Sequence, residues 1–243
     1  MNLLNMVLAL PVAGFLALLL VPKDRHKTIR AATLSITLLV FLVSLGLIRP
    51  VLADTASSHF TTDAVWIATP AIRYHVAVDG LSLWLVILAT LLTPIAVLIS
   101  WRHIGKRVKE FHALLLLLEF GLVGVFVSMD LFLFYVFWEV SLVPMYFLIG
   151  VWGHERRIYA AVKFFLYTMA GSVLMLAAMI YLYNCTGTFD YPRILEALRG
   201  GQAVLSHREE FWLFLAFFFA FAIKVPLFPL HTWLPDAHVE APT

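Results

Sequence analysis

The sequence predicts an all-α membrane protein, a polytopic bundle of about seven transmembrane helices. Hydrophobic residues make up 62% of the 243 residues and charged residues only 13%, about half the charged share of a typical soluble domain. Long apolar runs recur along the chain, and such runs must be helical because the bilayer core offers no water to backbone groups. This composition excludes a soluble enzyme, a disordered tail and a nucleic-acid-binding protein, and the lipid bilayer is the expected surrounding.

The apolar runs fix the expected order of the helices. A crossing needs about 20 largely apolar residues, and the runs that approach this length are 3–21, 31–48, 81–101, 111–128, 131–151, 158–183 and 211–230. The first run has neither a preceding basic stretch nor a small-residue cleavage site, so we interpret it as a retained span and not as a signal peptide. Residues 191–206 mix apolar and charged residues, which predicts a short amphipathic helix at the interface that ends at Gly200 and Gly201.

Lysine and arginine are unevenly distributed between the two sets of loops. Ten of them lie in loops 22–30, 102–110 and 152–157, and five lie in loops 49–80 and 184–210. Because cytoplasmic loops carry the excess of basic residues, we expect the N-terminus on the outer side of the membrane. We divide the chain into residues 1–110, three helices with the external loop 49–80, and residues 111–243, which hold spans 4 to 7.

Four charged residues lie inside the predicted spans: Glu119, Glu139, Lys163 and Lys224. Each costs about 2.5–3.5 kcal/mol on insertion scales, and ionisable residues at such depth usually mark a functional site. The structural alternative for either glutamate is a protonated carboxyl group bonded to a neighbouring helix. Lys163 is close to the cytoplasmic end of its span, where its side chain can equally reach the interface. Met129 and Asp130 alone join spans 4 and 5, so the two glutamates must lie on one antiparallel hairpin.

The end of the chain predicts a broken helix. Lys224 is followed by Pro226 and Pro229, and two prolines three residues apart should interrupt the last span within the membrane. A broken helix that bears an ionisable residue is typical of an ion pathway, whereas the alternative is a kink whose lysine reaches an interface. His231 and His238 are two helical turns apart and could carry protons to the cytoplasmic face, because histidine titrates near neutral pH. A metal site at these histidines is a weaker alternative.

Several segments resemble a known family of membrane subunits, the antiporter-like subunit M of NADH–quinone oxidoreductase (respiratory complex I). Its fifth and sixth helices and its most specific motif are similar to residues 137–149, 157–172 and 224–243, and residues 78–82 are similar as well. The motif at 224–243 is shared more loosely with the sister subunits L and N and with multisubunit cation/proton antiporters. The run Trp138-Glu139-x-x-Leu142-x-Pro144-Met145-Tyr146 favours subunit M.

The resemblance assigns roles to the buried charges. It implies that Glu139 pairs with Lys224, that Glu119 is the fourth-helix glutamate of the family, and that His231 and His238 lie within the family motif. Residues 111–243 would then form the first, incomplete part of an antiporter-like proton-translocating repeat. Members of the family have about fourteen spans in two inverted repeats, so we expect these 243 residues to be about half of a subunit.

The resemblance also implies a function. The chain would be a subunit of a translocase in the bacterial inner (plasma) membrane, moving protons while electrons pass from NADH to quinone elsewhere in the complex. Because the sequence shows no nucleotide-binding fingerprint and no histidine pair for haem, we expect no redox centre and no cofactor in this chain. FMN, Fe–S clusters and quinone are expected in partner subunits, with L-type and N-type subunits as neighbours. The alternatives are a subunit of a multisubunit Na⁺(K⁺)/H⁺ antiporter and a structural spacer without transport.

Overall fold

The computed structural model describes residues 2–242 as a bundle of helices with one β-hairpin at its surface. The predicted helical bundle is confirmed. In chain order the elements are α1 (Leu3–Leu20), α2 (His26–Leu45), α3 (Ile48–Ala53), β1 (His59–Ile67), β2 (Ile72–Val78), α4 (Ser82–His103), α5 (Val108–Val127), α6 (Leu131–Trp152), α7 (Arg157–Thr186), α8 (Tyr191–Arg199), α9 (His207–Lys224) and α10 (Trp233–Glu240).

Six helical segments are long and apolar enough to cross a membrane: α1, α2 together with α3, and α4 to α7. The expected seventh crossing, by α9, stays a prediction. This helix has 18 residues, and they include Arg208, Glu209 and Glu210 at its start and Lys224 at its end. Its charges therefore set α9 apart from the other long helices.

The ends of α9 differ from those predicted from hydropathy. The helix begins at His207 and not at residue 211, because Ser206 forms a capping box with Glu209. In this box the backbone N–H of Ser206 donates to the Glu209 carboxylate at 2.7 Å. The helix ends at Lys224, six residues before the predicted limit at 230, so the chain leaves the helix directly after the lysine.

The loop 49–80 has regular secondary structure, which a scan for apolar spans does not detect. It contains α3 and an antiparallel hairpin of β1 and β2, in which Asp63 pairs with His75 and Val65 with Arg73. The backbone N–H of Met129 donates to the carbonyl of His75 at 2.8 Å. The hairpin is thereby attached to the turn between α5 and α6.

Helices α5 and α6 form the predicted hairpin and approach each other closely. A Cβ atom on Gly124 would lie 2.1 Å from the ring of Phe137, and one on Gly121 would lie 3.0 Å from the backbone nitrogen of Ser141. Helices α1, α2 and α4 pack on α5, while α7 packs on α6 and carries α9 and α10. The short helix α8 ends at Gly200 and buries Ile194 and Ala197, which confirms the predicted amphipathic helix.

Candidate functional site

The helix break after Lys224 is present, and carbonyl groups at the end of α9 accept hydrogen bonds from other parts of the chain. Pro226 has no N–H to donate, and the carbonyl of Ala222 accepts instead from the N–H of Leu227 at 2.8 Å. The indole N–H of Trp233 donates to the carbonyl of Ile223, also at 2.8 Å. The residues between α9 and α10, 225–232, are hereafter called the proline break. The buried Trp233 covers the end of α9, whereas Val225, Leu227 and Phe228 of the break are exposed.

The ammonium group of Lys224 contacts an aromatic ring. Its Nζ atom lies 4.8 Å from the ring centroid of Trp138, the residue that precedes Glu139 on α6. Phe221, one turn before Lys224, meets the same indole edge-to-face at 5.7 Å. The lysine is half-buried, and its charge is held by a cation–π contact, which contributes about 0.5–2 kcal/mol.

Glu139 lies beside this contact with an unsatisfied carboxyl group. Its Oε1 atom is buried and has no hydrogen-bond partner. The Tyr135 hydroxyl, one turn earlier on α6, lies near this carboxyl group and near Ser172 of α7. The glutamate therefore lies on the part of α6 that Lys224 reaches, and one of its oxygens is free to bind a proton.

The direct ion pair expected between Glu139 and Lys224 is not formed in this structure. Within residues 2–242, the ion pairs shorter than 4.0 Å include none between these two side chains. The reason is local, because the indole of Trp138, one residue earlier on the same helix, lies against the ammonium group. Spacing along the sequence could not predict which of two adjacent side chains meets Lys224.

A cavity connects Lys224 with the last helix. It has a volume of about 340 Å³ and lies between α5, α6, α7 and α10. Its polar lining residues are Ser141, Lys224 and His238, and apolar side chains such as Phe164 and Leu118 form the rest of the wall. An internal space of this size can hold several water molecules where polar groups face it. The cavity thus places Lys224 and His238 beside the same space.

The two histidines occupy different environments. His231 lies in the proline break and not on α10, so it does not share a helix face with His238, contrary to the expectation of two helical turns. The Nδ1 atom of His231 is buried and has no hydrogen-bond partner, and its ring lies 5.6 Å from that of Phe228. His238 is exposed at its α10 position and lines the cavity.

Lys163 is engaged in an ion pair that attaches α10. Its Nζ atom lies 2.7 Å from the Asp236 carboxylate, so α7 and α10 are joined at this point. The carboxylate of Glu240 accepts from the backbone N–H of Arg156 at 2.9 Å, which fixes the other end of α10 to the loop before α7. Both contacts hold the helix that closes the cavity.

Glu119 lies apart from these residues. Its side chain is 1% exposed, and both carboxyl oxygens are buried without a hydrogen-bond partner. The nearest hydroxyl belongs to Thr93 of α4, whereas α5 contributes Leu118 and Leu122 to the cavity beside Lys224. The structure therefore brings Lys224, Glu139 and His238 into one region and leaves Glu119 on the α4 side of the hairpin.

A second group of charges, missed from the sequence, lies outside the predicted spans. We call it the hairpin network, and it consists of Asp63, Arg73, His75, Asp130 and Asp190. The Arg73 Nε atom lies 2.5 Å from Asp63, and the His75 Nδ1 atom lies 2.5 Å from Asp190. The backbone N–H of Arg73 donates to the carboxylate of Asp130 at 3.1 Å. The network joins β1, β2, the α5–α6 turn and the start of α8.

The carboxylates of the hairpin network respond differently to their surroundings. A hydrogen bond from Arg73 lowers the pKa of Asp63, while burial raises the pKa of Asp130. Ligand atoms of Asp63, His75 and Asp190 lie within 4.8 Å of one another. Because the Arg73 guanidinium already compensates Asp63, this geometry fits an ion-pair network better than a metal site. The position of Asp190 before the amphipathic helix was the one signal of its capping role in the sequence.

Comparisons with known proteins agree with the family resemblance found in the sequence. The family described as NADH:quinone oxidoreductase/Mrp antiporter matches residues 128–243. NADH-quinone oxidoreductase subunit M from Rhodobacter capsulatus is 43% identical over an alignment that covers 100% of this chain and 49% of the relative. The resemblance to antiporter-like subunit M is confirmed. The chain spans about half the length of the curated relatives it matches, and it is an integral, multi-pass membrane protein.

Chains of two solved membrane complexes have the same fold as this chain. A chain of respiratory complex I from Thermus thermophilus superposes with a TM-score of 0.84 at 33% identity, covering 98% of this chain and 47% of that one. A chain of the Mrp complex from Dietzia sp. DQ12-45-1b gives a TM-score of 0.81 at 20% identity, covering 98% of this chain and 25% of that one. The second likeness shows the fold alone.

Proposed function

We propose that this chain is the first half of a membrane subunit of NADH–quinone oxidoreductase that translocates protons. The observation that carries the proposal is the proline break, which places Lys224 beside the Glu139 segment of α6 and at a cavity leading to His238. Residues 111–243 would form the first part of the proton-translocating repeat, with the N-terminus outside a bacterial inner membrane. Electrons would pass through FMN, Fe–S clusters and quinone in partner subunits, among them L-type and N-type neighbours in the membrane arm.

The proposed mechanism is a movement of the Lys224 side chain between two partners. In one state its ammonium group lies on the Trp138 ring, as the structure has it, and Glu139 is unpaired. In the other state the ammonium group reaches the Glu139 carboxylate and forms an ion pair. Leaving a buried charge without its partner costs about 3–5 kcal/mol. A charge movement elsewhere in the assembly that favours one state would therefore load or release a proton.

The cavity gives that proton a route. Ser141 and His238 face the same space as Lys224, and water between them would pass a proton to the imidazole of His238. His231, with its free Nδ1 atom in the proline break, is a second relay in this proposal. Lys163 acts indirectly, because its ion pair with Asp236 positions α10. Glu119 would serve a separate step on the α4 side of the hairpin.

The test replaces Glu139 with glutamine in the assembled complex and measures proton pumping together with quinone reduction in membranes. Glu139→Gln keeps the size of the side chain and removes its charge, so we expect pumping to fall at least tenfold. The matched control is Glu155→Gln, which alters an exposed carboxylate in the loop before α7 and should leave both rates unchanged. Full pumping by the Glu139→Gln complex would refute the proposed role.

Two further measurements separate the alternatives. The absorption spectrum of the purified assembly is the first measurement. An NADH–quinone oxidoreductase shows bands from flavin and Fe–S clusters, whereas a cation/proton antiporter complex shows neither. If the buried charges only specify helix pairing, then exchanging them, with Glu139→Lys and Lys224→Glu in one chain, should restore assembly and leave pumping normal. We expect the exchanged chain to assemble and to pump poorly, since the lysine would no longer lie at the cavity.

A further inference from the structure

A second cavity lies at the end of the bundle that carries the excess of lysine and arginine. It has a volume of about 390 Å³ and lies between the C-terminal ends of α1 and α6 and the N-terminal end of α5. Apolar side chains, among them Phe15, Leu114 and Phe147, line one part of it, and Lys23 and Arg107 line the other. The proton route described above uses none of these residues.

The cations and the apolar side chains occupy opposite ends of this cavity. Lys23 and Arg107 lie just outside α1 and α5, which end at Leu20 and begin at Val108. Leu114 lies six residues farther along α5, which corresponds to a depth of about 9 Å at 1.5 Å per residue. The cavity is therefore charged at the level of the loops and apolar where the helices enter the membrane.

The charges at the mouth are only partly compensated. The Oε1 atom of Glu110 is 3.7 Å from the Lys23 ammonium and 3.9 Å from the Arg107 guanidinium, so one carboxylate faces two cations. The side chains of Lys23 and Arg107 are 79% and 59% exposed and can turn toward an additional anion. Lys109, also on the rim, donates to two backbone carbonyls at the end of α1 at 2.6 and 2.8 Å.

The first turn of α5 adds a second attraction for an anion. Arg107 occupies the N-cap position without a side-chain hydrogen bond to the helix, so no side chain caps the N–H groups of that turn. A helix N-terminus carries a partial positive charge and favours phosphate groups. Trp152 lies at the same rim and donates its indole N–H to the carbonyl of Lys106, which is a usual arrangement for tryptophan at a membrane interface.

We propose that this cavity binds one anionic phospholipid of the leaflet on the basic side of the protein. The phosphate would contact Lys23 and Arg107, and one acyl chain would lie against Phe15, Leu114 and Phe147. Basic pockets between helices on the cytoplasmic side bind such headgroups. A zwitterionic lipid fits less well, because its own ammonium group would meet the same two cations. The proposal does not depend on proton translocation.

The test is a lipid titration of the purified, assembled complex, read by native mass spectrometry. Phosphatidylglycerol and phosphatidylcholine are the two probes, and the variant is Lys23→Gln with Arg107→Gln. We expect the affinity for phosphatidylglycerol to fall about 25-fold, about fivefold for each basic residue removed. The matched control, Arg25→Gln with Lys27→Gln, removes two charges from the same side that do not line the cavity and should change the affinity less than twofold.

A second variant separates the apolar part of the cavity from the charged part. Leu19→Trp places a larger side chain into the apolar wall and leaves both cations in place, and we expect it to weaken phosphatidylglycerol binding as well. Equal binding of both lipids, competition by inorganic phosphate alone, or unchanged binding in the double variant would each overturn the proposal. If another protein segment fills the cavity, the wild-type complex and the double variant will bind the same amount of phosphatidylglycerol. That result would also overturn the proposal.

Discussion

Charged side chains are arranged differently in two regions of the molecule, the hairpin network and the end of α9. In the hairpin network Arg73 and His75 each lie 2.5 Å from an aspartate. At the end of α9, Lys224 lies over an aromatic ring and the Oε1 atom of Glu139 has no partner. The first region lies outside the predicted spans, and the second is beside a cavity within the bundle.

The difference separates charges that attach one element to another from the charges that move in the proposed mechanism. Paired charges have one favoured arrangement and hold the hairpin, the α5–α6 turn and α8 together. In the proposed mechanism, a half-buried lysine that lies near a carboxylate without bonding to it exchanges between two partners, as a switching charge requires. Lys163, paired with Asp236 at 2.7 Å, belongs with the first class although it lies within a predicted span.

The largest effect that we expect comes from comparing the two lysines of neighbouring helices. Lys224→Gln should reduce proton pumping at least tenfold, because it removes the charge that moves between Trp138 and Glu139. Lys163→Gln is its matched control and should retain more than half of the pumping, since an ion pair with partly exposed side chains contributes about 0–1 kcal/mol. Proton uptake into inverted membrane vesicles measures pumping by both variants. An equal loss of pumping would contradict the different roles assigned to Lys224 and Lys163.

An intermediate effect on stability is expected at Asp190. This carboxylate is 2% exposed, accepts from the backbone N–H of Arg193 at the start of α8 and contacts His75. Asp190→Ala removes the helix cap and the partner of His75, and it should lower the free energy of unfolding by about 2–3 kcal/mol. Thermal unfolding of the purified assembly measures this loss.

The control for this prediction is Asp24→Ala, at an exposed aspartate near the start of α2, which should unfold like the wild type. The complex that does assemble with Asp190→Ala should pump protons at the normal rate per molecule. A pumping defect at normal stability would mean that the hairpin network takes part in transport.

The smallest effect that we expect is a pH dependence of the hairpin attachment. The Arg73 hydrogen bond lowers the pKa of Asp63 below its ordinary value of 3.8. The associated stability is therefore present above that ordinary value and is lost as the pH falls through the lower pKa of the folded state. The protection factors of the β1 amides, which correct for the slower intrinsic exchange at lower pH, should therefore fall between pH 5 and pH 3 in the wild type.

The variant Asp63→Asn isolates this effect. It lacks the titrating carboxylate, so the protection factors of its β1 amides should already be lower at pH 5 and should change less toward pH 3. Asp130 works in the opposite direction, because burial raises its pKa and protonation of that group favours the folded state at low pH. An identical pH dependence in the two proteins would show that the Asp63–Arg73 pair does not hold the hairpin.

Much of this architecture was predictable because strong local signals mark it. Apolar runs located the long helices, and Pro226 and Pro229 located the break. The hairpin of α5 and α6 followed from the two residues that join them. The hairpin of β1 and β2 was missed, because strands of seven to nine residues outside the membrane carry no span-length apolar signal. The start of α9 was missed because Ser206 and Glu209 cap it through polar groups.

The sequence by itself determined which side chains are costly in a membrane and that the helix bearing Lys224 is interrupted by the prolines that follow it. Those properties depend on residue type and on missing backbone donors, and neither requires a neighbour. Only the tertiary structure decided that Lys224 meets Trp138 before Glu139, that Lys163 pairs with Asp236, and that Glu119 lies on the α4 side. Adjacent residues of a helix point about 100° apart, so a contact between helices depends on their rotation and distance, which spacing along one chain does not specify.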